Sequence, residues 1–159
     1  MIFTVDNLVT KLNAQADGFR AMLQISKGQL DEVCRGDFPN NLKMFNELLG
    51  SRRHLMEHME ELETEIKQIE ASLAKEYSLD YFLLSSLKDK IDPGKFELVS
   101  QGFNNLGNIL LEITKVDDAI EEEARKKLAT ARKPKKMTNN KAAARAYKES
   151  SMKGKNPQD

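Results

Sequence analysis

Between residues 38 and 77 the chain carries a seam that leaves few folds open. Phe45, Leu48, Leu55, Met59, Leu62, Ile66, Ile69 and Leu73 follow one another at intervals of 3, 7, 4, 3, 4, 3 and 4, and Arg52 occupies the seam position inside the gap of seven. Alternating threes and fours keep these side chains on one stripe of an α-helix. Sustained over this length, they mark a helix pressed against partner helices. No Pro lies between Pro39 and Tyr77, and the other faces carry charge at Glu57, Glu60, Glu61, Glu63, Glu65, Lys67 and Glu70. At about 1.5 Å per residue the rod is roughly 60 Å long. Its apolar stripe cannot stay uncovered in water, so the rest of the chain must supply the cover.

The flanking segments do so. Residues 4–35 read as a first helix, with Val5, Leu8, Leu12, Phe19, Met22, Leu30 and Val33 on one stripe and Gln15 and Ser26 as polar interruptions. Thr4 or Asp6 is placed to cap its start. Gly36 stands where a left-handed residue closes a helix. Asp37 and Pro39 then fit the cap and first turn of the next helix, which makes the first two helices antiparallel neighbours. The second helix is expected to end near Tyr77. Ser78 opens a short helical segment whose Leu79, Phe82, Leu83 and Leu87 fold across the end of the bundle. Asp92-Pro93 repeats the start signal, Asp as cap and Pro at the first helical position.

The last long helix is expected from Pro93 to about Arg132. Its seam runs Phe96, Val99, Phe103, Leu106, Leu110, Ile113, Asp117, Ile120, Ala124, Leu128 and Ala131, with Leu98, Ile109 and Val116 as a second partial stripe. The first half of this helix is therefore apolar over a wide arc. Asp117 interrupts the seam, and a polar residue at such a position lowers stability while setting register. Gly102 and Gly107 lie in the broad apolar part, where they either admit a neighbouring backbone or loosen the helix. The fold class that follows is all-α: an elongated antiparallel, coiled-coil-like bundle of three long helices and one short one over residues 1–132.

Residues 133–159 differ in kind. Eight Lys or Arg against two acids give this tail a net charge of +6, while the remainder of the chain is −6 and the whole is neutral. Few large apolar residues and no sustained periodicity predict a disordered basic tail. Within it, KAAARAYKES is able to form two helical turns on a partner, with Tyr147 as anchor. The tail holds a single aromatic and no stacking platform or folded recognition module, which argues against nucleic acid as the partner. One cysteine, Cys34, excludes an internal disulfide and fits a reducing compartment. The N-terminal segment has no basic region ahead of an apolar run and does not read as a signal peptide. No apolar run approaches the ~20 residues of a membrane span. These features together predict a cytoplasmic protein with no membrane insertion.

Catalytic chemistry finds little support. His54 and His58 are four apart on the second helix, a spacing that places two imidazoles on one face, but Leu-Met-Glu between them lacks the Glu beside the first His of a zinc hydrolase helix. They remain the only metal candidates, and ordinary polar positions are the simpler reading. Cys34 has no paired His in a recognisable motif and reads as a small, half-buried side chain. No phosphate-cradling loop, no Ser-His-Asp spacing and no catalytic carboxylate cluster is present, so neither an enzyme nor a cofactor is expected. The wide apolar arc at 96–116 is the most informative feature. Much of it must be bundle core, and the remainder offers a groove for another amphipathic helix.

The order of elements resembles a known family. A long helix closes at Gly36-Asp37 followed by Phe-Pro, then comes a Glu-rich helix with Arg52-Arg53 and a short segment opening Ser78-Leu79-Asp80. A Pro-started helix with a polar break at 114–118 follows, and a basic tail carries KAAARAYKES. This pattern is similar to the flagellar type III export chaperones, FlgN type, with the FliT type as alternative; the break at 114–118 departs from the family's usual Asn-rich one. The resemblance implies a non-catalytic chaperone that binds C-terminal amphipathic helices of hook-filament junction (hook-associated) proteins before export. Carried onto this chain, the client surface is Val99, Phe103, Leu106, Ile109, Leu110 and Ile113. Arg145 and Tyr147 in the tail are the candidates for docking on the export apparatus. Two readings from other classes stand beside it: a client-free coiled-coil scaffold, monomeric or homodimeric, and a nucleic-acid-associated protein acting through the tail.

Overall fold

The structure, a computed structural model, describes residues 4–132. Three long helices form the bundle: α1 (Val5–Cys34), α2 (Lys43–Glu76) and α3 (Pro93–Arg132), with a single 3₁₀ turn at Leu84–Leu87 before the last. There is no strand among the described residues. The chain runs up, down and up. Met59 lies over Gly18 and Leu48 over Gly28, so α2 is antiparallel to α1, whereas Leu12 lies over Gly102, so α3 is parallel to it. Ion pairs tie the same surfaces: Lys11 to Glu65 between α1 and α2, and Lys95 to Asp6, at 3.4 Å, between α1 and α3. Both α2 and α3 pack closely on α1.

Local chemistry explains the helix ends. Thr4 caps α1 in a reciprocal box: its Oγ1 accepts the Asn7 N–H at 3.2 Å and its own N–H donates to Asn7 Oδ1 at 2.8 Å. Asp92 caps α3, its Oδ2 accepting the N–H groups of Gly94 at 3.0 Å and Lys95 at 3.2 Å, with Pro93 as the first helical residue.

The other two boundaries differ from the sequence expectation. Gly36 is not a left-handed cap; among the described residues no glycine has a positive φ, and α1 closes on Arg35 with an extended backbone at φ −66° and ψ 149°. Asp37 does not cap α2. Its carbonyl accepts the N–H groups of Asn40 and Asn41 at 2.7 and 3.1 Å, and its carboxylate takes Arg35 Nε at 3.3 Å. Residues 36–40 are thereby a turn of their own, containing a cis Phe38-Pro39 bond, and α2 begins only at Lys43. A side chain that bonds nearby backbone competes with helix, and Asn41 does so here, its Oδ1 accepting the Lys43 N–H at 3.3 Å.

At the far end of α2 the left-handed residue is Ser78, with φ 57°. The Leu79 N–H reaches back to the Ala74 carbonyl at 2.7 Å, the closing bond of a Schellman turn. Ser78 therefore ends a helix instead of starting one, and the expected short helix is reduced to the 3₁₀ turn. Leu87 in that turn is fully buried, which pins residues 79–91 to the bundle end.

The core is one continuous cluster. α1 contributes Val5, Leu8, Leu12, Ala16, Met22 and Leu23; α2 contributes Met59, Leu62, Ile66, Ile69 and Leu73; α3 contributes Val99, Leu106, Ile109 and Ile113. On α3 the seam passes through Gly102 and Ile109, in place of the expected Phe103 and Leu110. Gly102 is buried against Leu12, and a Cβ built on it would stand 3.2 Å from the Leu12 Cβ. The missing side chain lets the parallel helices α1 and α3 close up, which turns the inner stripe by one residue. Gly107 has nothing within 4 Å of the same constructed atom.

This contrast gives a direct test. Gly107→Ala is expected to stabilise the bundle by about 0.5–1 kcal/mol through helix propensity alone. Gly102→Ala, with the same propensity gain, is expected to be neutral or destabilising because Leu12 must give way. Urea denaturation followed by circular dichroism distinguishes the two; equal stabilisation would refute the close approach.

Candidate client-binding face

The six residues assigned to a client surface fall into two groups. Val99, Leu106, Ile109 and Ile113 are buried in the core against the other helices. Phe103 is half-buried and Leu110 is 42% exposed. The register explains the division. With the inner stripe at 99, 102, 106, 109 and 113, positions 103 and 110 fall on one flank of α3 and Leu98 on the other. Leu111, at 56% exposure, points further from the seam than any of them. The apolar arc of α3 is thus wider than its cover, and Leu98, Leu110 and Leu111 remain at the surface.

The flank with Phe103 and Leu110 faces α2. Phe103 packs on Phe82 of the 79–91 segment, ring centroids 6.3 Å apart and tilted by 43°. Phe82 in turn lines a cleft of about 510 Å³ together with Lys67, Glu70, Ala71, Ala74 and Tyr81. Burial pushes the Glu70 carboxyl up from its ordinary value; Lys67 opposes the shift and Glu63 adds to it. On α2, Leu49 and Met56 are exposed apolar residues.

One level of the bundle is polar. Arg52 of α2 holds Asp117 of α3 through two parallel hydrogen bonds, Nη1 to Oδ1 at 2.8 Å and Nη2 to Oδ2 at 2.6 Å. The same Nη1 donates to Ser26 Oγ at 2.9 Å and to Gln29 Oε1 at 3.3 Å, both on α1. Ser26 and Gln29 are buried, while the Arg52 and Asp117 side chains keep 20% and 35% exposure. The two polar residues that interrupt the seams of α2 and α3 are therefore partners. Their individual positions are legible as breaks in periodicity. Their pairing is not, because it depends on the relative register of two helices 65 residues apart in sequence. Gln29 carried no such signal, lying beside the apparent stripe of α1.

The hydrogen bonds from Arg52 hold the Asp117 carboxyl below its ordinary value of 3.8; burial opposes this, and the Arg52 charge and the Ser26 hydroxyl reinforce it. Arg52 is correspondingly raised, first by the hydrogen bond to Asp117, with burial opposing and the Asp117 charge assisting. Asp117 gives up its proton more readily folded than unfolded. Its contribution is present above the unfolded value, near pH 4, and disappears as pH falls through the lower folded value. Solvent access limits it to roughly 1 kcal/mol, well below the 3–5 of a fully buried pair. Asp117→Asn is expected to lower stability by about that amount at pH 7 and to reduce the difference in stability between pH 7 and pH 3. Urea titrations of both proteins across this range measure it; an unchanged pH profile would show that the pair contributes nothing.

The remaining candidates are dispersed. His54 and His58 are both exposed on α2, and no group of three or more His, Cys, Asp or Glu placed to hold a metal ion occurs among the described residues. Cys34 is exposed at the last residue of α1, not half-buried as expected. Arg145 and Tyr147 lie outside the described residues. No helix among the described residues is long and apolar enough to cross a membrane. Comparison with protein-family models, with curated proteins and with solved structures finds no match.

Proposed function

We propose that this chain is a cytoplasmic chaperone of the flagellar type III export kind, FlgN-like, which holds an amphipathic helix of a hook-associated protein against α3 before secretion. The observation that carries the reading is one flank of α3, where Leu110 is exposed and Phe103 half-buried beside the buried Leu106 and Ile113. Exposed apolar side chains on a helix whose neighbouring positions are core suit the helix-in-groove mode of recognition. On this reading Phe103 and Leu110 make the first contacts. The four buried residues become client contacts only as α3 exchanges self-packing for the client's helix, an exchange driven by whatever the client binds better in the open form. No catalysis and no cofactor enter the mechanism. The tail, with Arg145 and Tyr147, is the segment proposed to dock on the export apparatus. The three seams meet within one chain, which favours action as a monomer over a homodimer.

Co-expression with the C-terminal segments of hook-filament junction proteins, followed by co-purification, tests the reading. Leu110→Glu is expected to leave helicity and thermal midpoint unchanged while weakening the complex at least tenfold, about 1.4 kcal/mol. A complex that survives both Leu110→Glu and Phe103→Ala at full affinity rejects α3 as the client face. A constant oligomer in light scattering with no client retained would favour the scaffold reading instead.

A further inference from the structure

Side-chain burial divides the bundle at the polar layer. On α2 every fully buried side chain lies at Met59 or beyond, and none lies between Lys43 and His58. On α3 the last buried side chain is Ile113; Val116, Ile120, Ala124 and Leu128 after it are only half-buried. On α1 the buried apolar residues stop at Leu23, apart from Val33, which stands outside the continuous core cluster. Ser26, Gln29, Arg52 and Asp117 sit at this boundary on all three helices. Beyond them the last helical turns of α3 are attached to α1 by little that is polar; Lys127 Nζ donates to the Arg35 carbonyl.

We propose that the Arg52–Asp117 pair is a latch, holding the C-terminal segment of α3, residues 114–132, on the α1–α2 hairpin, and that this segment opens while the rest of the bundle stays closed. Local opening free energies follow buried apolar contact, and a segment with no fully buried side chain from 114 to 131 lies at the low end of that range. A bidentate charge-assisted pair joined to two neighbours is the strongest directional contact available to such a segment. It is also a contact with two discrete states, made or broken, which is what a conformational device requires. Opening uncovers Val116, Ile120 and Leu128 together with the α1 surface opposite and frees Arg52, and leaves the stripe from Val99 to Ile113 packed. The device does not depend on the identity of any client.

Hydrogen exchange of the full chain, read by mass spectrometry at peptide level, tests it. The amides of 118–131 are expected to exchange at least tenfold faster than those of 99–113. Asp117→Asn is expected to speed the 114–131 amides a further five- to tenfold, while the amides of 59–76 and 99–113 rise by no more than the global stability loss read in urea and stay at least tenfold slower than 118–131. The double variant Arg52→Met/Asp117→Leu replaces the pair by apolar side chains that cannot act as a switch, and is expected to slow exchange at 114–131 relative to Asp117→Asn. Uniform protection along α3 in the parent protein overturns the proposal. So does an Asp117→Asn variant whose 114–131 amides keep the parent exchange rates, and so does a double variant that exchanges as fast as the single one.

Discussion

Two apolar seams of this bundle have to be satisfied by one helix. α2 and α3 both pack on α1, and α1 meets the demand with an arc wider than a simple three-four stripe. Its buried residues include adjacent pairs, Gln15 with Ala16 and Met22 with Leu23, which point about 100° apart and so address different neighbours. The buried positions of α2, by contrast, keep a narrow seam at 59, 62, 66, 69 and 73. The approach of α3 is set by the opposite device. Gly102 removes a side chain where Leu12 comes closest, allowing two parallel helices to draw together over their N-terminal halves. Wide stripe on one helix and missing side chain on the other are complementary solutions to the same crowding.

The polar layer adds a second constraint, on register. An apolar seam repeats every heptad and tolerates a slip of one repeat, whereas Arg52, Asp117, Ser26 and Gln29 satisfy one another only when the three helices are aligned as they are. Slipping α3 by a heptad would put Leu110 or Ala124 opposite Arg52 and leave a guanidinium among apolar atoms. The cost of that misalignment exceeds the modest net stability of the correct pair. The layer therefore acts more through the states it excludes than through the one it stabilises.

Much of this architecture was legible because periodicity reports burial directly. The three long helices, the Asp92-Pro93 start of α3 and a cap at the start of α1, where Thr4 is one of the two candidates, all follow from local rules that act within one turn. What failed was also local in appearance but decided elsewhere. Asp37 and Pro39 carry a valid helix-start pattern, yet the Asp37 carbonyl closes a turn on Asn40 and Asn41, and α2 begins only at Lys43, whose N–H the Asn41 side chain accepts. Gly36 has the right position for a left-handed cap and does not adopt it, while Ser78, without glycine's freedom, does. On α3, apolarity alone could not choose between the stripes through Leu110 and Ile109, because the deciding residue, Gly102, contributes nothing to an apolar count. Within the candidate face, Val99, Leu106, Ile109 and Ile113 are core, and only the edge at Phe103 and Leu110 is open.

That division bears on how a client helix would compete. A ligand shifts a conformational equilibrium only by its differential affinity for the two forms, so the work of displacing self-contacts sets what the client must supply. Displacing α3 over Val99 to Ile113 would uncover several fully buried side chains, each worth about 1.5–3 kcal/mol of burial. The flank at Phe103 and Leu110 demands no such displacement, and beyond Asp117 the described side chains of α3 itself are half-buried at most, although Val33 near the end of α1 is fully buried. A client helix that enters beside Leu110 and extends toward the loosely packed end therefore meets the smallest opposing free energy anywhere on α3. If α3 is the client face, the geometry favours a footprint centred on positions 103–120, displaced toward the C-terminus from the stripe that apolar content alone would select.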